Sequence, residues 1–280
     1  MSDALDPSDA LADDECMRVT FLGTGTSHGI PMIGCDCAVC RSMDPRNHRL
    51  RPSIFIENGT ANVLVDATPD FRTQALRANI RRVDAVLVTH THADHVTGLD
   101  DLRAFTEREG RKMPVYGSAK SLADIQRMFP YACTEKPAWP GLPSFQLHPI
   151  EVDQPFTILG STFMALPVPH GYMTVYGFRV EHALAYVTDC NAVSDEVVKA
   201  VRGVTVLVLD ALRHRSHPTH LTVAEAVLVA GQVGAQLTLL THMCHEVDHG
   251  PTEAELPPQV RLAYDGLRIE IENGQWRKID

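Results

Sequence analysis

The chain has 280 residues, 44% hydrophobic and 21% charged, enough for one large domain or two small ones around a core that needs no disulfides. No apolar run approaches the roughly 18–20 residues that cross a bilayer, and the N-terminus lacks the basic-then-apolar pattern of an export leader, so a cytoplasmic protein with no membrane partner is expected. The net charge is −10, but Asp3, Asp6, Asp9, Asp13, Asp14 and Glu15 carry six of those charges and leave −4 for the rest, with no sign of the broad basic surface that long nucleic acids require.

Residues 1–16 hold those acids with no Lys or Arg and read as a disordered, solvated lead-in. Residues 17–280 read as one domain, since neither a repeat nor a long linker divides them. Met17–Thr24, Ser53–Glu57 and Ala61–Ala67 have strand character, the last two joined by the turn signal Asn58-Gly59. Pro69 opens a helix that runs through Ala78, because proline is favoured in a first helical turn.

From there, short β-branched runs end abruptly in ligand-type residues. Val83–Thr89 runs into His90, Phe163–Pro169 into His170, Ala183–Thr188 into Asp189, Val204–Leu209 into Asp210, and Leu237–Thr241 into His242. Fully apolar runs of this length suit strands buried on both faces. Helices are predicted at Gly98–Glu107, Ser121–Met128, Ser194–Val201 and Val223–Val233, the last with Thr222 as N-cap. Strands alternating with helices give a layered α/β fold class, and such scaffolds place reactive groups at strand ends. Residues 130–145, with Pro130, Pro137, Pro140 and Pro143, read as an irregular loop, either one wall of a substrate pocket or packing filler.

His90 and His92 are two apart, so on an extended segment both imidazoles project to one side, and Asp94 and His95 follow at once. Four such groups would be costly to bury without cations. Their chemistry suits Zn²⁺, Mn²⁺ or Fe, against the plainer reading of a polar loop. Of seven cysteines, Cys35, Cys37 and Cys40 crowd together and read as metal binding, three corners of a tetrahedral zinc site or else three reduced, unliganded thiols. Cys16, Cys133, Cys190 and Cys244 read as small buried or tolerated residues. The turn Gly23–Ser27 lacks the third glycine of a dinucleotide-binding fingerprint, and no helix clearly follows it.

The run Thr89-His90-Thr91-His92-Ala93-Asp94-His95 resembles the His-x-His-x-Asp-His signature of the metallo-β-lactamase superfamily. That resemblance implies a four-layer αββα sandwich with two mixed β-sheets. It implies that His90, His92 and His170 hold one divalent ion, that Asp94, His95 and His242 hold another, and that Asp189 bridges them. Asp66 would then orient a metal-bound histidine, although a turn aspartate reads nearly as well there. His245, three residues after His242, is the candidate fourth ligand of a structural zinc with Cys35, Cys37 and Cys40.

More narrowly, Gly23–Ser27, the Cys35–Cys40 cluster, Asp66–Arg72, His95–Arg103, His217-Pro218-Thr219-His220 and Thr241–His245 resemble the phosphoribosyl cyclic phosphodiesterases of bacterial phosphonate breakdown and their relatives. The implied reaction is hydrolysis of a small cyclic phosphate or nucleotide-like phosphodiester by a metal-bridging hydroxide. His220 would be the general acid, with Asp94 also among the catalytic groups. His217 would bind phosphate or orient His220. Asp210 would be an orienting carboxylate or merely the start of a turn, and Arg213 and Arg215 would meet a terminal phosphate or simply decorate a loop. The implied cofactors are two divalent ions (Zn, Mn or Fe) and one structural Zn, the implied partner is a small phosphorylated substrate, and a homodimer is the base-rate expectation. Two other readings share parts of this pattern: a tRNA 3′-processing endonuclease, and a pyrroloquinoline-quinone biogenesis-like metalloprotein.

Overall fold

Short β-branched runs bounded by Gly, Pro and Asp build two sheets in the computed structural model, which describes residues 16–135 and 139–279. The expectations for residues 1–15 and for Pro137 lie outside the described residues. The first half of the chain supplies β1 (Met17–Gly23), β2 (Ser53–Asn58), β3 (Ala61–Val65), β4 (Ala85–Leu87), β5 (Met113–Gly117) and β6 (Phe145–Pro149). The second half supplies β7 (Pro155–Ile158), β8 (Ser161–His170), β9 (Met173–Val180), β10 (Leu184–Val187), β11 (Val206–Asp210), β12 (Leu237–Thr241) and β13 (Val260–Leu262). The chain then returns to the first sheet with β14 (Arg268–Glu272) and β15 (Gln275–Ile279), giving the orders β15-β14-β1-β2-β3-β4-β5-β6 and β13-β12-β11-β10-β9-β8-β7. Both sheets are mixed: β3 to β6 and β10 to β13 run parallel, and the remaining pairs are antiparallel.

Strand alternation sorts the side chains into layers. On β3, Val63 and Val65 face a core shared with Phe163, Phe178, Tyr186 and Val208 of the other sheet, while Leu64 faces out. Leu64 packs beneath α1 (Phe71–Arg77), α3 (Arg103–Glu109) and α4 (Ala119–Met128), with the short α2 (Ala93–Val96) at the sheet end. The outer face of the second sheet is covered by α5 (Asp195–Val201) and α6 (Val223–Val233), through Val197, Ala226 and Ala230 against Leu207 and Val187. Each fully buried Val, Leu or Phe contributes about 1.5–3 kcal/mol, and these three cores join the layers of a four-layer αββα sandwich.

Local chemistry fixes most of the predicted boundaries. Thr222 and Glu225 form a capping box on α6, and the Ser194 hydroxyl accepts from Val197 N to start α5. Four expectations shift, the first being the helix predicted from Pro69 through Ala78, which forms only over α1, Phe71–Arg77, with Asp70 at its N-cap. The hairpin after β2 turns on Gly59-Thr60, since Asn58 still pairs with Ala61. The Val83–Thr89 run pairs as a strand only over β4, because Thr89 N gives its hydrogen bond to the Asp66 carboxylate. The predicted Gly98–Glu107 helix is a 3₁₀ stretch, Thr97–Leu102, followed by α3; Gly98 is pressed so closely on Thr68 that a Cβ would lie 1.9 Å from its carbonyl oxygen. A seventh helix, α7 (His249–Glu255), was not expected.

Candidate metal centre

The C-terminal ends of β3, β10, β11 and β12 meet at one rim, and the chain turns there sharply enough to force unusual backbone. Asp66, Asp189 and His242 have φ of 61°, 55° and 60°. Left-handed backbone costs a non-glycine residue about 1–3 kcal/mol, and Asp and His tolerate it better than β-branched residues. These turns aim side chains from both sheets at a common point.

The donor atoms of His90, His92, His170 and Asp189 lie within 4.8 Å of one another, as do those of Asp94, His95 and His242. Asp189 reaches both sets. Its oxygens lie 3.9 Å from His90 Nε2, 3.4 Å from His95 Nε2 and 3.3 Å from His242 Nε2, and Asp94 Oδ2 lies 3.4 Å from His95 Nε2 and 3.8 Å from His242 Nε2. Two nitrogen or oxygen donors on one tetrahedral ion with bonds near 2.1 Å stand about 3.4 Å apart, so this is the spacing of a coordination shell.

The far side of three of the rings supports that reading. His95 Nδ1 is 2.7 Å from Asp66 Oδ2, His90 Nδ1 is 3.0 Å from Thr89 Oγ1, and His170 Nδ1 is 2.9 Å from the Thr219 carbonyl. Asp66, fully buried, is itself held by Thr89 N and Thr89 Oγ1 at 2.9 and 2.8 Å. With Nδ1 tethered on His90 and His95, their Nε2 atoms face the cluster, and these two atoms and both ring nitrogens of His242 are buried with no hydrogen-bond partner. Such orphans would each cost about 1–3 kcal/mol unless a cation receives them. The donor set therefore fits divalent metal ions, with Asp66 placed as the sequence suggested.

Electrostatics agree. Burial drives the His90 imidazole well below its usual range, helped by the neighbouring His95. For Asp94 and Asp189 burial favours the neutral acid, but the facing imidazoles outweigh it and hold both carboxyls far below the usual range. On His95 and His242 burial opposes charge, yet Asp189 and Asp94 overcome it and raise both. The pocket calls for positive charge at the positions the donors surround.

His220 stands beside this cluster, its ring stacked 4.7 Å from that of His242 and set edge-on 4.8 Å from that of His170. Its Nδ1 is 3.0 Å from Asp210 Oδ1, while Asp210 Oδ2 accepts from Leu221 N, so Asp210 orients this histidine. The 3.6 Å from Asp210 to His242 Nδ1 is too long for a hydrogen bond. His220 also lies within ligand range of Asp189 and His242. His217, half-exposed, has its ring 5.2 Å from that of His220 and its Nδ1 against Thr219.

The second cluster forms where it was expected. Cys35, Cys37 and Cys40 place Sγ 3.1, 3.5 and 3.8 Å from His245 Nδ1, and all are free thiols. The Cys40 N–H brings the Cys37 thiol down to about 6, while burial pushes Cys40 up to about 11. Three sulfurs and one imidazole make a closed tetrahedral set that fits zinc.

Sequence reasoning missed the residues that act through backbone or burial. Thr89 is the bridge between Asp66 and His90, and asking what each Nδ1 donates to would have found it. Thr219 contributes only its carbonyl, which leaves no trace in sequence. Arg49, 1% exposed, makes no direct ion pair among the described residues; it donates to the carbonyls of Arg46, Cys244 and Val247 and to Asn47 Oδ1, tying the chain around His245 in place. Burial brings its guanidinium down to about 10. Of the 130–145 stretch, residues 135, 139–142 and 144 line a cavity that no residue of either cluster touches.

Fold and donors together define a metal-dependent hydrolase scaffold. The family described as the beta-lactamase superfamily domain matches residues 61–243. The crystal structure of a diphosphatase from the PhnP family is 40% identical, with a TM-score of 0.86 over 92% of this chain and 98% of that one. The chain is thus a member of the metallo-β-lactamase superfamily and, within it, of that diphosphatase's family. It is also 37% identical over 262 residues to an octanoyltransferase of Porphyromonas gingivalis; the match takes in 91% of this chain, which spans about half (52%) of that relative's length. A coenzyme PQQ synthesis protein B of Methylobacterium radiotolerans is 29% identical over 229 residues, 69% of this chain and 72% of that protein. Among the described residues no helix is long and apolar enough to cross a membrane.

Proposed function

We propose that this protein hydrolyses a phosphodiester or diphosphate linkage in a small phosphorylated molecule, with His220 giving a proton to the leaving oxygen. The observation that carries the reading is the Asp210–His220 pair at the edge of the donor cluster. Divalent ions bound there would supply Lewis acidity toward phosphoryl oxygens and lower the pKa of an attacking water. His90, His92 and His170 would hold one ion, Asp94, His95 and His242 the other, and Asp189 both. Asp210 fixes His220 through Nδ1, which leaves Nε2 as the atom that delivers the proton. The closed cysteine set has no open position and would serve the fold. The diphosphatase relative supports phosphoryl chemistry over oxidative chemistry.

Metal-loaded protein would be assayed on bis-p-nitrophenyl phosphate, a ribose cyclic phosphate and a precursor tRNA. Cleavage of the small diesters is expected, and cleavage of the tRNA alone would move the assignment to RNA processing. His220→Ala should slow turnover by about 10²–10⁴ while metal content stays unchanged, the range for a lost general acid. Loss of metal in that variant would make His220 a ligand instead.

A further inference from the structure

The stretch that carries Cys35, Cys37 and Cys40 leaves β1 after Gly23 and rejoins the first sheet at Ser53. Both of its ends close on one carboxylate. Asp265, in the turn between β13 and β14, accepts from Thr24 N and Thr24 Oγ1 through Oδ1, each at 2.9 Å. Its Oδ2 accepts from Leu50 N at 2.9 Å and stands 3.3 Å from Nη1 of Arg77 on α1. The side chain is 4% exposed, so these donors stand in for water. The two ends also meet each other. Gly25 N donates to the Leu50 carbonyl at 2.8 Å, and a Cβ on Gly25 would lie 2.9 Å from the Arg49 carbonyl oxygen.

From this clasp the backbone contacts run on to the metal ligands. The Thr24 carbonyl accepts from Met243 N at 2.9 Å, and Thr26 N donates to the Met243 carbonyl at 3.1 Å, so Gly25 and Met243 form a parallel bridge. Met243 directly follows His242 of the rim cluster and precedes His245 of the cysteine cluster by two residues. The backbone that bears both histidines is bonded to Thr24, and Thr24 to Asp265. Arg49 closes the other side: its guanidinium holds the Cys244 and Val247 carbonyls, and Asp265 is the acid that acts on it most strongly. Only an ionised carboxylate suits this position. Thr24 and Leu50 aim three donors at its two oxygens, whereas an amide turns N–H groups toward one of them and a protonated acid gives up an acceptor site. Burial pushes the Asp265 carboxyl up to about 6, against the pull of Leu50 N, Arg77 and Thr24.

We infer that Asp265 is a positioning residue for both ion sites: its carboxylate clasps the two ends of the cysteine loop and, through Thr24 and Met243, fixes the backbone between His242 and His245. The interior of the loop is left to its own donors, but each site feels the other through the shared clasp. The inference goes beyond the phosphodiesterase reading, because it holds for any substrate. It rests on the two donor sets taking ions.

The test loads the full chain with Co²⁺ and challenges it with a chelator. The thiolate charge-transfer band follows the cysteine site, and total metal per chain gives the rim by difference. At neutral pH, Asp265→Asn should release metal about tenfold more readily from both sites, the lower end for groups that hold ligands in place. Near pH 5 the gap between variant and wild type should close, because the wild-type carboxyl is then neutral as well. The charged groups facing it, Arg77 and Arg49, do not titrate in that range. A packing defect would keep the gap at both pH values. Arg77→Met leaves the three bonds from Thr24 and Leu50 in place but removes a charge that keeps the carboxyl ionised, so its retention should fail at a higher pH than in wild type. That variant decides the matter if Asp265→Asn does not fold. Release from one site alone, a gap unchanged near pH 5, or an Arg77→Met profile that stays put overturns the inference. A wild-type chain that takes no Co²⁺ at either site overturns the metal reading instead.

Discussion

At the sheet rim, His90, His95 and His170 each hand Nδ1 to a fixed partner, and the strands beneath them belong to the apolar cores. Between β1 and β2, by contrast, Cys35, Cys37 and Cys40 sit in a stretch whose regular structure is one 3₁₀ turn, Pro45–Asn47. Their apolar company is a small cluster with Ile30 and Val39, packed by Met32. One set of donors is positioned by the fold before any ion arrives. The other has mainly its own four atoms, and the Arg49 braces on the His245 side, to hold it. A rim of this kind would tune an ion that must stay reactive, while an ion in the loop would stand in for a core.

Breaking the pre-positioning should have the largest effect. Asp66→Asn keeps the volume but removes the charge that His95 and Thr89 lean on. Metal retention at the rim, followed by competition with a chelator, should weaken about 10–100-fold while circular dichroism stays that of the folded protein. Retention equal to wild type would mean that the strands alone suffice.

Cys37→Ser tests the other half. The variant should lose about one tightly bound zinc per chain. Amide exchange should quicken over residues 24–52 and stay slow in β10 to β12, with hydrolysis reduced less than in Asp66→Asn. Full zinc content in Cys37→Ser, or loosening that spreads through both sheets, would erase the contrast between the regions.

The smallest effect is a control remote from both. Arg18 and then Arg277 hold the Glu270 carboxyl down at about 2, below its value in an unfolded chain. A depressed acid stabilises the fold above the unfolded pKa, near 4.3, and loses that contribution as pH falls through the folded value. Glu270→Gln should therefore lower the melting temperature at pH 7 and match wild type near pH 2. A melting difference that persists unchanged at pH 2 would show packing, not charge, to be at work.

Much of the rim was legible because this chain ends apolar runs in ligand-type residues. His90, His170, Asp189, Asp210 and His242 each announce themselves by following a buried strand, and the structure brings all of them together. Strands with a wet face were the ones missed. β14 reads Arg268-Ile269-Glu270-Ile271-Glu272, a clean alternation hidden among charges, and most of β15 is exposed. Pro155 opens β7 and Gly177 interrupts β9, both of which weaken a strand signal. In α7, Gly250-Pro251 looks like a breaker, yet proline sits harmlessly in a first turn. What no pattern could supply was long-range geometry: that Thr219 would offer its carbonyl to His170, or that Arg49 would be sealed inside.

The left-handed turns at Asp66, Asp189 and His242 have a consequence for how this molecule can change. Glycine would relax each of those bends, yet it carries no donor, so selection for heat tolerance and selection for turnover pull in opposite directions at these three positions. A lineage that abandoned its chemistry would be free to relax them, and their persistence or loss in descendants of this chain would record whether the catalyst was still in use.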